Sequence, residues 1–402
     1  MRVGVYIAGR SPEVGGGYTF ENDVFRGLLE LHRKSRHAFT ILCPTGAYNG
    51  LRREAESSGI VVSPVPEDSK LSRWGEALRR ELAFVRAHWR RPTPLDRAAA
   101  AAEVDFLWFV SAGIHCTDLP FLTVVWDLQH RLTPWFPEMS ACGLWDRREL
   151  SHRWFLPRAA GVVTGTRIGQ FELERFYQVP SERVLILPHP TPAFALAAAG
   201  QAADPDTPAR LGVEGPFILY PAQFWPHKNH VNLVLALQLL RQRYGLPLSL
   251  VLVGSDKGNR AQVEQMAARC GVAEAVRFLG FVSREDLVAL YCKAVALTYM
   301  SWCGPENLPP LEAFALGCPV VATDIPGASE QLGEAAMLVL PGSPESIATG
   351  IKQVWEDAEL RERLVLAGHV RARKWTARDY VHGVFEFLDR FEPIIRCWRV
   401  ST

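Results

Sequence analysis

A chain of 402 residues is too long for one ordinary hydrophobic core and suits two domains. Its 48% apolar and 22% charged residues are those of a globular protein, which excludes a disordered or fibrous one. The formal net charge of +1 lacks the basic excess of a duplex-binding protein, so no nucleic-acid partner is expected.

The first ten residues, MRVGVYIAGR, run straight into a strand pattern. They lack the apolar core and cleavage site of a secretory signal. No run reaches the roughly 18 consecutive apolar residues that mark a membrane-spanning helix. Eight cysteines (Cys43, Cys116, Cys142, Cys270, Cys292, Cys303, Cys318, Cys397) contain no CxxC pair. That usage predicts reduced thiols in the cytoplasm, with neither a zinc site nor a disulfide framework.

Short apolar runs bounded by turn residues predict strands at Val3–Ala8, Phe39–Cys43, Phe106–Val110, Thr123–Trp126 and Gly161–Thr164. A second series follows at Phe217–Tyr220, Ser249–Val253, Val276–Leu279, Ala296–Thr298 and Pro319–Ala322. Each run leads into a helical pattern, the signature of an α/β protein with parallel sheets covered on both faces. The pattern occurs twice, which divides the chain into an N-terminal domain over 1–194 and a second over 212–376. Between them, 193–216 is rich in small residues and proline and reads as a linker. Tyr380, Val381, Val384, Phe385, Leu388 and Phe391 recur at helical spacing, so 377–402 is expected to close the fold as a helix on a domain surface. The alanine run at 98–102 reads as helix.

Residues 71–91 form a basic helical pattern, with Trp74, Leu78, Leu82, Val85 and Trp89 on one face and six arginines elsewhere. Two readings fit: a core-packed helix with solvated arginines, or a patch docking on anionic lipid or a phosphorylated acceptor at the inner membrane face. After the first strand, GRSPEVGGGY lacks the GxGxxG of a dinucleotide oxidoreductase.

The most informative stretch is SWCGPENLPPLEAFALGCP, from Ser301 to Pro319. A strand enters a loop, Pro309 and Pro310 open a helix, and Gly317 stops it. The first-turn N–H groups make an anion site. Glu312, in the same turn, fits two readings: an ordinary capping glutamate, or a carboxylate placed to accept two hydrogen bonds from a ribose diol.

Here the sequence resembles the family 4 retaining glycosyltransferases, which have the GT-B fold of two Rossmann-like domains facing a central cleft. PPLEAFALGCPVVATDIPGASEQLG resembles that family's donor-site signature. FILYPAQFWPHKNH resembles its first C-terminal strand and basic loop, and LVGSDKG and VRFLGFVSREDLVALY the segments flanking the nucleotide base. GGGYTFENDV (Gly15–Val24) is similar to the glycine-rich loop that meets the donor from the opposite domain, and WDLQH to a segment lining the acceptor side.

The resemblance implies roles. A departing diphosphate needs its charge neutralised. Lys228 would contact it, with backbone N–H groups of Asn307 and Leu308. Glu312 would hold the ribose. Gly254, Phe281 and Val282 would pass the base through their backbones. Gly16 and Gly17 would let the backbone approach the donor without a Cβ. His130 would hydrogen-bond the transferred sugar, and Asp127 lies on the acceptor side. Two family positions are vacant: a glutamate eight residues before Glu312, where Gly304 stands, and an arginine five residues before Lys228, where Gln223 stands. Glu306 is expected to substitute for the first, facing the cleft and bonding a sugar hydroxyl. Arg167, on the acceptor side, is a candidate to supplement the positive charge.

No DxD pair stands at a strand end, so neither a metal nor a cofactor is expected; the nucleotide sugar is a substrate. The implied enzyme is a retaining hexosyltransferase. It moves a sugar, mannose-like and GDP-linked by resemblance, to a hydroxyl of a glycan or glycolipid acceptor. The alternatives are a non-catalytic scaffolding homologue, suggested by Gly304 and Gln223, and a phosphorylase of the same fold.

Overall fold

The computed structural model describes residues 1–12, 15–66, 92–113 and 117–398. The basic pattern at 71–91 lies outside the described residues. Thirteen strands are seen among them. β1 (Arg2–Tyr6), β2 (Ala38–Pro44), β3 (Val61–Val65), β4 (Phe106–Phe109), β5 (Phe121–Val124), β6 (Gly161–Thr164) and β7 (Val184–Ile186) form one sheet. β8 (Phe217–Pro221), β9 (Ser249–Val253), β10 (Val276–Gly280), β11 (Ala296–Tyr299), β12 (Val320–Thr323) and β13 (Ala336–Val339) form the other. Their orders are β3-β2-β1-β4-β5-β6-β7 and β10-β9-β8-β11-β12-β13, and every pairing is parallel. This is the two-domain, Rossmann-like α/β architecture expected from the sequence.

Three strands went unforeseen, and each lies at a sheet edge. β3 carries Pro64 and exposes Val61. β7 is only three residues long, and β13 is buried only at Val339. An edge strand is half solvated, so its apolar run is weak. The expected strand at Thr123–Trp126 begins earlier, at Phe121, which leaves Trp126 beyond the strand end.

The stretch expected as a linker holds structure. Ala193–Ala198 is a helix whose Ala195 is fully buried in the core of the second sheet. Alanines give a helix a thin face that packs closely, which composition alone does not distinguish from a flexible spacer. The alanine run at 98–102 belongs largely to the helix Pro94–Ala101, opened by a capping box of Thr93 and Asp96.

The last long helix, Ala377–Ile395, crosses back to the N-terminal sheet. Tyr380, Val381, Val384, Phe385 and Leu388 join Phe25 and Leu28 of the helix Gly16–Leu31 in one core. Phe385 stacks on Phe39 of β2 at 5.3 Å. Among the described residues no helix is long and apolar enough to cross a membrane.

Candidate active site

Both sheets change winding direction at an inner strand pair, β1/β4 and β8/β11. In open α/β sheets such a switch point, at the carboxyl ends of the strands, leaves a crevice. Here the two ends face one cleft of about 670 Å³. Gly16, Gly17 and Asp127 line it from the N-terminal side. Gln223, Lys228, Gly254, Phe281, Val282, Glu306, Asn307, Leu308 and Glu312 line it from the other. Segments nearly three hundred residues apart in the chain are thus brought to one place.

The glycine-rich segment, expected as a loop, opens the helix Gly16–Leu31 against the opposite domain. A Cβ on Gly16 would lie 3.4 Å from Leu308 across the cleft. Gly254 needs to be glycine: at φ +152° its missing Cβ would sit 2.4 Å from the carbonyl oxygen of Ala222.

Lys228 follows β8 in a single 3₁₀ turn. It is half-buried, not exposed as a loop lysine would be. Its Nζ donates to the Tyr299 hydroxyl at 2.7 Å, and that hydroxyl donates to Asn307 Oδ1 at 2.6 Å. A neutral phenol orients the ammonium without cancelling its charge. Asn307 departs from expectation: its backbone N–H donates to Gln331 Oε1 at 2.9 Å and is occupied. The N–H of Leu308, first residue of the helix Leu308–Leu316, is left for an anion from that pair.

Glu312 is buried in the first turns of the same helix and accepts a hydrogen bond from the Tyr291 hydroxyl at 2.7 Å. Burial pushes its carboxyl up to about 7 against the pull of that hydroxyl, and nearby Asp23 adds to the rise.

Two expected site residues stand elsewhere. His130 is fully buried and does not line the cleft. Its Nε2 lies 2.8 Å from the Tyr177 hydroxyl and 3.4 Å from Glu149. Burial lowers its pKa to about 4, with Arg148 and His152 adding to the fall. It belongs to a packed network in which Glu149 takes Arg131, Arg153 and Tyr177. The short helix Gln129–Leu132 turns the ring inward, away from the cleft. Arg167 is exposed at the start of the helix Arg167–Tyr177, and it is its backbone N–H that makes a contact, to Glu330 at 2.7 Å.

Glu306 lines the cleft but spans the two domains. Its Oε1 accepts the backbone N–H of His189 at 2.8 Å, and its Oε2 lies 3.2 Å from His189 Nδ1. Its side chain is 4% exposed, so its carboxylate is spent on the opposite domain and not on a sugar hydroxyl. Gly165 makes room for it: an added Cβ would fall 1.3 Å from Oε2. Gly165→Ala is therefore expected to expel the carboxylate and cost about 1–2 kcal/mol, the scale of an overpacked contact. Thermal denaturation checks this; an unchanged Tm would refute the contact.

Glu21 was not foreseen as a site residue. Its buried carboxylate accepts from the backbone N–H groups of Ala8, Gly9 and Arg10 at 3.1, 2.8 and 3.2 Å, and from the Ser111 hydroxyl at 2.6 Å. It fixes the loop leaving β1 and so the floor under the glycines. Asp127 is held by Arg148 at 2.8 Å. Gln223 donates to Ser255 at 3.2 Å and accepts from the Trp225 indole at 3.0 Å.

Comparison with known proteins agrees with this fold. Residues 207–370 match the model of the glycosyl transferases group 1 family. The chain is 28% identical over 231 residues to an O-antigen chain mannosyltransferase B of Escherichia coli, covering 55% of this chain and 58% of that protein. It is 24% identical over 371 residues to an alpha-D-kanosaminyltransferase of Streptomyces kanamyceticus, covering 84% and 90%. Several sequence relatives are matched over only about a third to three-fifths of their length. Among solved structures, a glycosyltransferase of Rickettsia africae superposes with a TM-score of 0.68 at 16% identity, covering 98% of each chain. An Anabaena protein, HepE, in complex with UDP and glucose gives 0.66 at 17%, covering 97% and 100%. The chain therefore has the GT-B fold, and its residues 207–370 are similar to the glycosyl transferases group 1.

Proposed function

We propose that this protein is a glycosyltransferase that moves a sugar from a nucleotide-sugar donor to a hydroxyl group of a glycan or glycolipid. One observation carries the reading. The Lys228 ammonium, the opening turn of the helix Leu308–Leu316 and the Glu312 carboxyl meet in one cleft, opposite Gly16 and Gly17. A cation beside the Leu308 N–H at a helix start suits a diphosphate, and a buried carboxylate one turn on suits a ribose diol.

In this reading the bond between the anomeric carbon and the diphosphate oxygen breaks, and a bond to the acceptor oxygen forms. The acceptor's proton passes to the departing diphosphate oxygen. Lys228 and the Leu308 amide stabilise the charge that develops on the leaving group. Such groups can do this without a metal ion, and we expect none to be needed. Retention of configuration rests on the resemblance to family 4. A mannose-type donor rests on the E. coli relative and on a Salmonella typhimurium O-antigen chain mannosyltransferase, 32% identical over 130 residues.

A thermal-shift screen of nucleoside diphosphates and nucleotide sugars tests the reading. A ligand at about 100 times its dissociation constant should stabilise the protein by about 2.7 kcal/mol. GDP and GDP-mannose are expected to give the largest shifts. No shift with any nucleotide would refute the donor site, and a shift confined to another base would refute the mannose assignment.

A further inference from the structure

Glu138 lies in the short helix Pro137–Ser140 of the N-terminal domain, between β5 and β6. Its carboxylate nonetheless ends in the loop after β8. Oε1 accepts the backbone N–H of His227 at 2.9 Å and lies 2.5 Å from His227 Nδ1. The two side chains are 6% and 13% exposed. The next residue in the chain is Lys228.

The rest of this loop is tied to its own domain. The His227 carbonyl accepts from the Trp302 N–H at 2.8 Å, and the Lys228 carbonyl accepts from the Tyr220 hydroxyl at 2.7 Å. Among the described residues Glu138 is the hydrogen-bonding anchor contributed by the other side of the cleft, beside a ring contact of Phe136 with His227, and it grips the residue next to the cation. Two further carboxylates cross between domains among the described residues, Glu306 to His189 and Glu330 to the N–H groups of Arg167 and Ile168. Those two hold the domains together, and neither touches the Lys228 loop. Glu138 does both. A hydrogen bond between a backbone N–H and a buried carboxylate is short, directional and strong. Losing it frees the loop on one side and lets the ammonium swing.

We propose that Glu138 is a positioning residue for the donor diphosphate, acting through His227 to set the loop that carries Lys228. The phosphate site is then complete only when the two domains are closed on each other. This rests on the reading of Lys228 as a diphosphate ligand.

The test titrates pyrophosphate, UDP and GDP into the full chain by calorimetry. The proteins are wild type, Glu138→Ala, Glu138→Gln, Lys228→Ala and the Glu138→Ala/Lys228→Ala double variant. Glu138→Ala should weaken pyrophosphate about tenfold, or ~1.4 kcal/mol. Glu138→Gln keeps an oxygen for the His227 amide and should stay within about threefold. In the Lys228→Ala background Glu138→Ala should add nothing, because the two changes remove one contact. Wild-type affinity in Glu138→Ala beside a weakened Lys228→Ala would overturn the proposal, as would additive losses, which mark a role independent of Lys228. Unchanged affinity in Lys228→Ala, or no binding of any probe by wild type, would overturn the diphosphate reading and this inference with it. If Glu138→Ala does not fold, Glu138→Asp takes its place: it keeps the charge, draws the oxygen back by one methylene, and should show the same tenfold loss.

Discussion

Lys228→Ala is expected to lower transfer by at least a hundredfold while leaving the protein folded. The size follows from what the side chain would do. A hundredfold is about 2.7 kcal/mol of barrier, the scale of one preorganised contact to charge that develops in the transition state. The vacancy at Gln223 concentrates the demand on Lys228, since the family's usual guanidinium is absent there. The structural cost is small by comparison. Lys228 is half-buried and its Nζ holds one described hydrogen bond, to Tyr299, so its removal should cost about 1 kcal/mol of stability. Turnover and Tm measured on the same purified variant separate the two effects. Wild-type turnover would remove Lys228 from the mechanism, and a collapsed Tm would make the loss one of folding.

Glu312→Gln should change two measurements in opposite directions. Nucleoside diphosphate affinity should fall by about 1.5–3 kcal/mol, the worth of hydrogen bonds to a charged acceptor, while pyrophosphate binding holds. Stability should move the other way. The Glu312 carboxyl is raised by burial from 4.5 to about 7 in the folded protein, so the folded state binds a proton that the unfolded state releases. Stability conferred by the protonated form is therefore present below pH 4.5 and lost as pH rises through 7. The gap corresponds to a penalty on the order of 3 kcal/mol above neutrality. A glutamine carries no such penalty, so the variant's Tm should exceed wild type at pH 8 by more than at pH 5. Equal differences at both pH values would show that the carboxyl is not raised; unchanged nucleotide affinity would sink its assignment to the ribose.

What could be read in advance was what is local in the chain. The run from Ser301 to Gly317 encodes its loop, helix start and helix stop within seventeen consecutive residues, because prolines, a glycine and apolar spacing act over one or two turns. The cleft-lining positions carried by such runs came together in the structure. Long-range partners were not readable. Glu306 meets His189 across 117 residues and Glu138 meets His227 across 89, and nothing in the spacing of a glutamate reports which distant N–H group it will cap. The same limit explains His130. Three residues after Asp127 at a strand end, it had the setting of a cleft imidazole, but one short helical turn rotated it onto Tyr177 and Glu149. Glu21 hides for a different reason: it lies inside a glycine-rich motif whose glycines draw the attention, while the carboxylate does the fastening.

The return of the helix Ala377–Ile395 to the N-terminal sheet bears on how the protein is made. A ribosome delivers β1 to β7 first, yet Phe39 of β2 and Phe25 find their covering partners, Phe385 and Val381 among them, only near the end of synthesis. Until then the part of that face beside the helix Gly16–Leu31 is an open apolar surface, the kind of transient exposure that recruits chaperones or invites aggregation. The second domain, by contrast, can bury its own core as it emerges. The half made first is thus the half finished last, and a fragment cut at the domain boundary would leave the ribosome with that face uncovered for good.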